Sequence, residues 1–236
     1  MDLGRELVRW AVLAPAMLWL SLSAQAQAPA SPSSSSVKQA KEPPAPTNSA
    51  IDAGSVANGV YTNKTFALSC KIPPGWVLRT DEMNAREEQK AAEKEEKNDP
   101  GSPASAASSA GAKVLLAAFS RPPEARAEDI NASIVIAAES AASYPGLKEA
   151  AQYFFPLTEV AKAQGFTADE DPYEVAIGTK TVVRGDFHKD VGTRVMRQST
   201  LAMLSHGYAI SITIIGGTDD QVEDLVDGLS FAAGRN

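Results

Sequence analysis

Residues 194–215 read RVMRQSTLAMLSHGYAISITII, and the reading of this stretch decides the fold. Two strand-like halves flank Ser205-His206-Gly207. In the second half Tyr208, Ile210, Ile212 and Ile214 alternate with Ala209, Ser211 and Thr213, the period-2 signature of a half-buried strand. With His206-Gly207 as a two-residue turn, Met203 faces Ile210 and Leu201 faces Ile212. Turn geometry and apolar pattern then agree on one register, because a slip of one residue would send every isoleucine to the opposite face. The stretch predicts a hairpin at the centre of a sheet. It carries no chemistry of its own.

Upstream, Tyr173, Val175 and Ile177 share one face of a short strand. Gly178-Thr179 reads as a turn, and Thr181 to His188 as a further strand. Downstream, Gly216-Gly217 breaks the hairpin. Thr218-Asp219-Asp220-Gln221 is a capping box, followed by Val222, Leu225, Val226 and Leu229 at helical spacing. A second helical pattern runs from Pro145 to Gln164, with Leu147, Ala151, Phe154 and Ala161 on one stripe and Gly165 as its stop. Pro156 inside it predicts a kink or a split. The apolar runs Lys113–Ser120 and Ala132–Ala138 read as central strands covered on both faces. Nearer the start, Thr65 to Ile72 places Phe66, Leu68, Cys70 and Ile72 on one face. Pro73-Pro74-Gly75 stops that strand, and Trp76-Val77-Leu78 restarts an extended segment. The lone cysteine, Cys70, falls in the apolar phase and reads as a core side chain.

The helices come late and separately instead of following every strand. The pattern predicts an α+β fold: a mostly antiparallel sheet of about six or seven strands packed with helices. Residues 57–236 form one domain, interrupted at 79–112 by a charged, low-complexity insertion. The insertion opens with DEMNAREEQKAAEKEEK, a helix without a continuous apolar stripe, and returns through SPASAASSAGA.

Tyr61-x-Asn63-x-x-Phe66-x-Leu68, followed by Ile72-Pro73-Pro74-Gly75-Trp76, resembles the opening of PsbP/Mog1-like domains. The helix ending at Gly165-Phe166, the turn after Ile177, the Tyr208-Ala209-Ile210 strand and the closing Leu229-Ser230-Phe231 extend the likeness. The resemblance covers Gly59 to Phe231 outside the insertion. It implies an αβα sandwich and an accessory or binding role in an exported bacterial member. It supplies no functional motif to place residue by residue, and the insertion after Trp76 departs from the compact pattern.

The N-terminus speaks to compartment. Arg5 and Arg9 precede the apolar run Trp10–Leu22, and Ala24-Gln25-Ala26 is a small-x-small cleavage signal, so residues 1–26 read as a signal peptide. The run is too short for a comfortable membrane span. Cleavage near Ala26 predicts a periplasmic or extracellular protein with no stable membrane span. Residues 27–56, rich in Ala, Pro and Ser, read as a disordered tether. A net charge of −7 and a pI of about 5.0 argue against nucleic acid as a partner.

Chemistry is sparse. The phosphate-binding, dinucleotide-binding, serine-hydrolase and zinc-protease motifs are absent. Ser35-Ser36-Val37-Lys38 matches an acyl-enzyme pattern by chance, in a tether without a pocket. Asn63-Lys64-Thr65 and Asn131-Ala132-Ser133 match the glycosylation sequon but sit beside strands. His206 reads as a turn residue. Asp186 and His188, two apart on one strand, face the same way and are the candidate metal ligands, yet two ligands make a weak site. No catalytic residue and no cofactor emerge. The reading is an exported, non-catalytic accessory or binding protein of the cell envelope with a protein partner. The alternative is an exported metal-dependent or carboxylate-based hydrolase.

Overall fold

A computed structural model describes residues 51–97, 112–125, 127 and 129–232. The expected signal peptide, residues 27–50 of the tether, the Ser35/Lys38 match and the low-complexity return after the charged helix lie outside them.

The elements run β1 (Ser55–Ala57), β2 (Val60–Asn63), β3 (Leu68–Lys71), β4 (Val77–Leu78), α1 (Thr80–Lys97), β5 (Lys113–Phe119), β6 (Ser133–Ser140), α2 (Ala150–Ala163), β7 (Thr167–Ala168), β8 (Tyr173–Ile177), β9 (Lys180–Val191), β10 (Arg194–Ser205), β11 (Tyr208–Gly216), α3 (Asp219–Val226) and β12 (Leu229–Phe231). The fold is α+β, and every strand pair is antiparallel. The strands divide into two sheets rather than one. A four-stranded sheet has the order β1-β2-β3-β12. An eight-stranded sheet has the order β4-β5-β6-β11-β10-β9-β7, with β8 also pairing β9.

The β10–β11 hairpin takes the register its apolar pattern dictates: Met203 opposite Ile210, Leu201 opposite Ile212. Its turn has positive φ at both central residues, His206 at 53° and Gly207 at 78°. That conformation matches the twist of the strands it joins. The hairpin lies in the middle of the large sheet, and both of its faces are covered. Ile210, Ile212 and Ile214 are buried on one side, Ala209 and Ile215 on the other. The expected half-exposed face instead meets α2, whose Tyr153, Phe154 and Ala161 pack with Ala202, Ala209 and Ile215.

Alternation sorts the two faces. Gly185 of β9 faces α2, and the Phe154 ring lies where its Cβ would be, 2.5 Å away. Arg184, one residue earlier, faces the other way and reaches Glu223 of α3. Tyr208, on the isoleucine side, meets Phe66 edge-on at 6.0 Å. The large sheet is therefore layered between α1 and α2 on one face and α3 with the small sheet on the other.

Several local differences have identifiable causes. Ahead of residue 57 the Asp52 carbonyl accepts from the Asn63 amide, and β1 pairs with β2. The strand expected over Thr65–Ile72 is confined to β3, because residues 64–67 form a turn with Ala67 at φ 52°. Phe66, Leu68 and Cys70 are nevertheless fully buried. Helix α2 starts at Ala150, not Pro145, since Gly146 takes φ 87° and the capping box forms between Glu149 and Gln152. It runs unbroken through Pro156 and ends where expected, with Gly165 at φ 85° and Phe166 N–H bonded back to the Ala161 carbonyl.

The charged helix α1 does more than sit in solvent. Beyond two-residue β4, the edge of β5 would be open. Thr80 Oγ1 accepts from Ala117 N–H at 3.0 Å. Asn84 both donates to the Val114 carbonyl and accepts from its N–H, each at 2.9 Å. These side chains stand in for a neighbouring strand and blunt an edge that could otherwise recruit another chain.

Both sequon asparagines are used internally. Asn63 is fully buried; its Oδ1 accepts from Phe66 N–H at 3.0 Å. Asn131 accepts from Ser120 Oγ and Arg121 N–H and donates to the Arg121 carbonyl. We expect Asn63→Ala to lower stability by about 1–3 kcal/mol, because it strands the Phe66 N–H and the Asp52 carbonyl. The urea midpoint measures this, and a shift within error would show that water replaces the amide.

Candidate functional site

Two features outside the apolar core bring polar or exposed groups together. The first contains Asp186 and His188. Strand alternation sets Arg184, Asp186 and His188 on the α3 face, opposite Leu201, Ser199 and Arg197 of β10. The pair does not form a shared site. Asp186 turns to Arg184, whose Nε donates to both its oxygens at 3.0 and 3.1 Å, and to Tyr173, whose hydroxyl donates at 2.7 Å. His188 turns to Asp169 through Nδ1. Among the described residues no three His, Cys, Asp or Glu side chains converge in a way that could hold a metal.

Arg184 is the hub. Its other two nitrogens form a fork on the Glu223 carboxylate, one arm at 3.0 Å. Burial opposes its charge, but Glu223 and Asp186 outweigh that and hold the guanidinium above its ordinary range. Burial, with the Asp186 carboxylate beside it, pushes Tyr173 up to about 12. A second arginine, Arg197, reaches Asp219 at 3.3 Å. Both arginines therefore pin α3 to the sheet, one at its first turn and one in its middle. Each carboxylate here already has a cation or donor, so the cluster reads as a clamp on α3.

The second feature is a groove of about 860 Å³. One wall is the end of α3 with the residues after it: Asp224, Leu225, Asp227 and Gly228. The other is built from the β1–β2 turn and the segment Lys71–Leu78. Local chemistry shapes both. Asn58 and Gly59 have φ 51° and 72°, the hairpin turn that favours Asn-Gly. Pro74-Gly75 occupies the centre of a second turn, with Gly75 at φ 83° and Trp76 N–H directed at the Pro73 carbonyl at 3.4 Å. That turn, with Pro first and a left-handed Gly second, swings Trp76 into the groove. Gly59 O accepts from Ile72 N–H at 2.7 Å and Gly228 O accepts from Lys71 N–H at 2.9 Å, tying the walls together.

Much of the lining is apolar: Val60, Ile72, Pro73, Pro74, Trp76 and Leu225. Val56 and Leu78, at 41% and 45% exposure, are among the few large apolar side chains left open to solvent. The groove is open, and its charged side chains are Asp224, Asp227 and Lys71. Its shape suits an extended chain laid across it more than a small molecule enclosed on all sides.

Sequence reading placed Pro73-Pro74-Gly75 and Trp76 correctly as a turn and a restart but did not see them as a surface. The Asn58-Gly59 dipeptide was a usable signal. Asp224 and Asp227 had none, since their meeting with Trp76 depends on the return of β12 beside β3. No helix among the described residues is long and apolar enough to cross a membrane.

No protein-family model matches this chain. No curated protein matches it either. Solved structures do. The chain is similar to the Ran-binding protein Mog1p of Saccharomyces cerevisiae, with 12% identity, 70% of this chain and 90% of that one covered, and a TM-score of 0.36. It is similar to LpqN of Mycobacterium tuberculosis, a protein involved in cell envelope biogenesis, with 11% identity, 70% and 83% covered, and a TM-score of 0.32. It is also similar to a Pseudomonas aeruginosa protein of unknown function, with 16% identity, 49% and 74% covered, and a TM-score of 0.32.

Proposed function

We propose that this chain is an exported accessory protein of the cell envelope that holds a partner protein and converts nothing. The groove beside Trp76 carries the reading. A monomer leaves apolar side chains open in one concavity at a cost, and contiguous open apolar surface marks contact sites. The clustered ionisable groups near α3 support it from the other side, because they are paired with one another. The leader-like residues 1–26 support export. The residues that resemble PsbP/Mog1-like domains, Tyr61 to Trp76, supply β3 and most of β2 of the small sheet and part of one groove wall, which supports an accessory domain of that kind.

Photocrosslinking in the envelope of the native host tests this. A photoreactive residue replaces Leu78 or Val56 in the groove, and Phe155, 65% exposed on the outer side of α2, serves as control. The expected result is one discrete adduct from both groove positions and none from Phe155. Adducts of equal yield from all three positions, or none from any, would sink the proposal. One equivalent of bound metal, lost in His188→Ala, would favour the hydrolase alternative.

A further inference from the structure

The groove has a charge pattern as well as an apolar lining. Asp224 and Asp227 line it, and neither carboxylate has an ion pair among the described residues. Both belong to the C-terminal end of α3, with Asp227 as its C-cap. Acidic side chains are unfavourable there, because the unpaired helix carbonyls already concentrate negative charge. No basic residue occupies the last turn of α3 to offset it. Lys71 is the one cation of the lining. Other carboxylates of the same helix show the contrast. Asp219 and Glu223 are matched by Arg197 and Arg184. Those two thus serve the fold, while Asp224 and Asp227 line the groove without an ion pair among the described residues.

We infer that the groove takes an extended, cationic segment of a partner protein. This inference rests on the accessory-protein reading above and specifies its ligand. An apolar side chain of the segment lies over Trp76 and Leu78, and a Lys or Arg beside it meets Asp224 and Asp227 and the last carbonyls of α3. Trp76 adds a face on which such a cation can stack. A second copy of this chain is disfavoured as occupant, because two bodies of net charge −7 repel one another. An anionic lipid surface is disfavoured for the same reason.

Calorimetric titration of the full-length chain tests this with two short blocked peptides. One has lysines flanking an Ala-Pro-Leu-Pro-Ala centre, and its twin has glutamates in their place. The lysine peptide is expected to bind on the order of tenfold tighter or better, with affinity falling as salt rises. Asp224→Asn with Asp227→Asn should abolish most of that preference and flatten the salt dependence. Leu78→Ser, at a position 45% exposed, should weaken both peptides alike. Equal binding of the twins, or a preference that survives the double aspartate change, overturns the inference. A concentration-dependent dimer lost in Leu78→Ser overturns it as well. The partner reading fails separately: a crosslinked envelope protein indifferent to Asp224 and Asp227 would keep that reading and reject the cationic segment.

Discussion

Replacing Phe154 with alanine is expected to destabilise the protein by about 3–5 kcal/mol, and Gly185→Ala by about 1–3 kcal/mol. The two losses should not add. Phe154 is 2% exposed and the edge of its ring is directed at Gly185, where a Cβ would sit 2.5 Å from Cε1. In β9, glycine is otherwise a poor strand residue, lacking a side chain to pack. Here its bareness is what lets α2 approach the sheet. Gly185→Ala forces the ring, and with it the helix, outward. In a Phe154→Ala background the new methyl enters the vacated space and should cost little or even help. The coupling from a double-mutant cycle should therefore reach on the order of 1–3 kcal/mol, with the double variant more stable than the sum of the singles. Urea unfolding of the four proteins measures it. Additive losses would mean that the ring does not bear on Gly185.

That contact shows what a sequence can and cannot disclose. The stripe through Phe154 and Ala161 was legible, because helical spacing is a one-dimensional signal. The hairpin register was legible for the same reason, reinforced by the His206-Gly207 turn. Gly185 as the seat of an aromatic ring was not, since nothing local distinguishes a packing glycine from a turn glycine. At Pro156 the split does not occur, for a related reason. A proline inside a helix costs about 3 kcal/mol, but Tyr153, Phe154 and Ala161, buried on both sides of it, keep the helix continuous across the missing bond. Gln152, whose carbonyl loses that bond, is exposed, so water can replace it. Ser55 and Val56 were read as tether because their composition matches the preceding residues. Only pairing with β2 across Asn58-Gly59 makes them part of a strand. The candidate site divides along the same line. Asp186 and His188 share a face, as alternation requires, but their partners Tyr173 and Asp169 come from elsewhere in the chain. Those partners, not the spacing, decide that the two side chains point into separate interactions.

Alkaline pH should unfold the protein well before its arginines titrate. Several acids are buried in their neutral forms. Burial pushes the Cys70 thiol from 9.0 up to about 12. Burial also raises Tyr61, from 10.0 to about 12, against an opposing hydrogen bond with Asn63. Tyr153 and Tyr144 are raised by burial first and then by the Glu139 carboxylate to which both donate. In the unfolded chain these groups lose their protons at ordinary values, while the folded chain retains them. The unfolded state then binds fewer protons, and stability falls as pH rises. Their contribution is complete below about pH 9, erodes first through Cys70 and then through the tyrosines, and is gone as pH approaches the folded-state values. By about pH 11, Cys70 and Tyr61 alone account for a loss of about 4 kcal/mol. Against a total of about 5–15 kcal/mol for a domain, that is decisive. Urea unfolding at a series of pH values from about 8 to 11 should show the midpoint dropping steeply above pH 9. Cys70→Val keeps the packing and removes the first titration, so its midpoint should hold nearly level to about pH 10 before the tyrosines take over. A thiol that reacts freely with Ellman's reagent in the native protein, or a Cys70→Val curve parallel to the parent, would show that the cysteine is not sealed between the sheets as its burial implies.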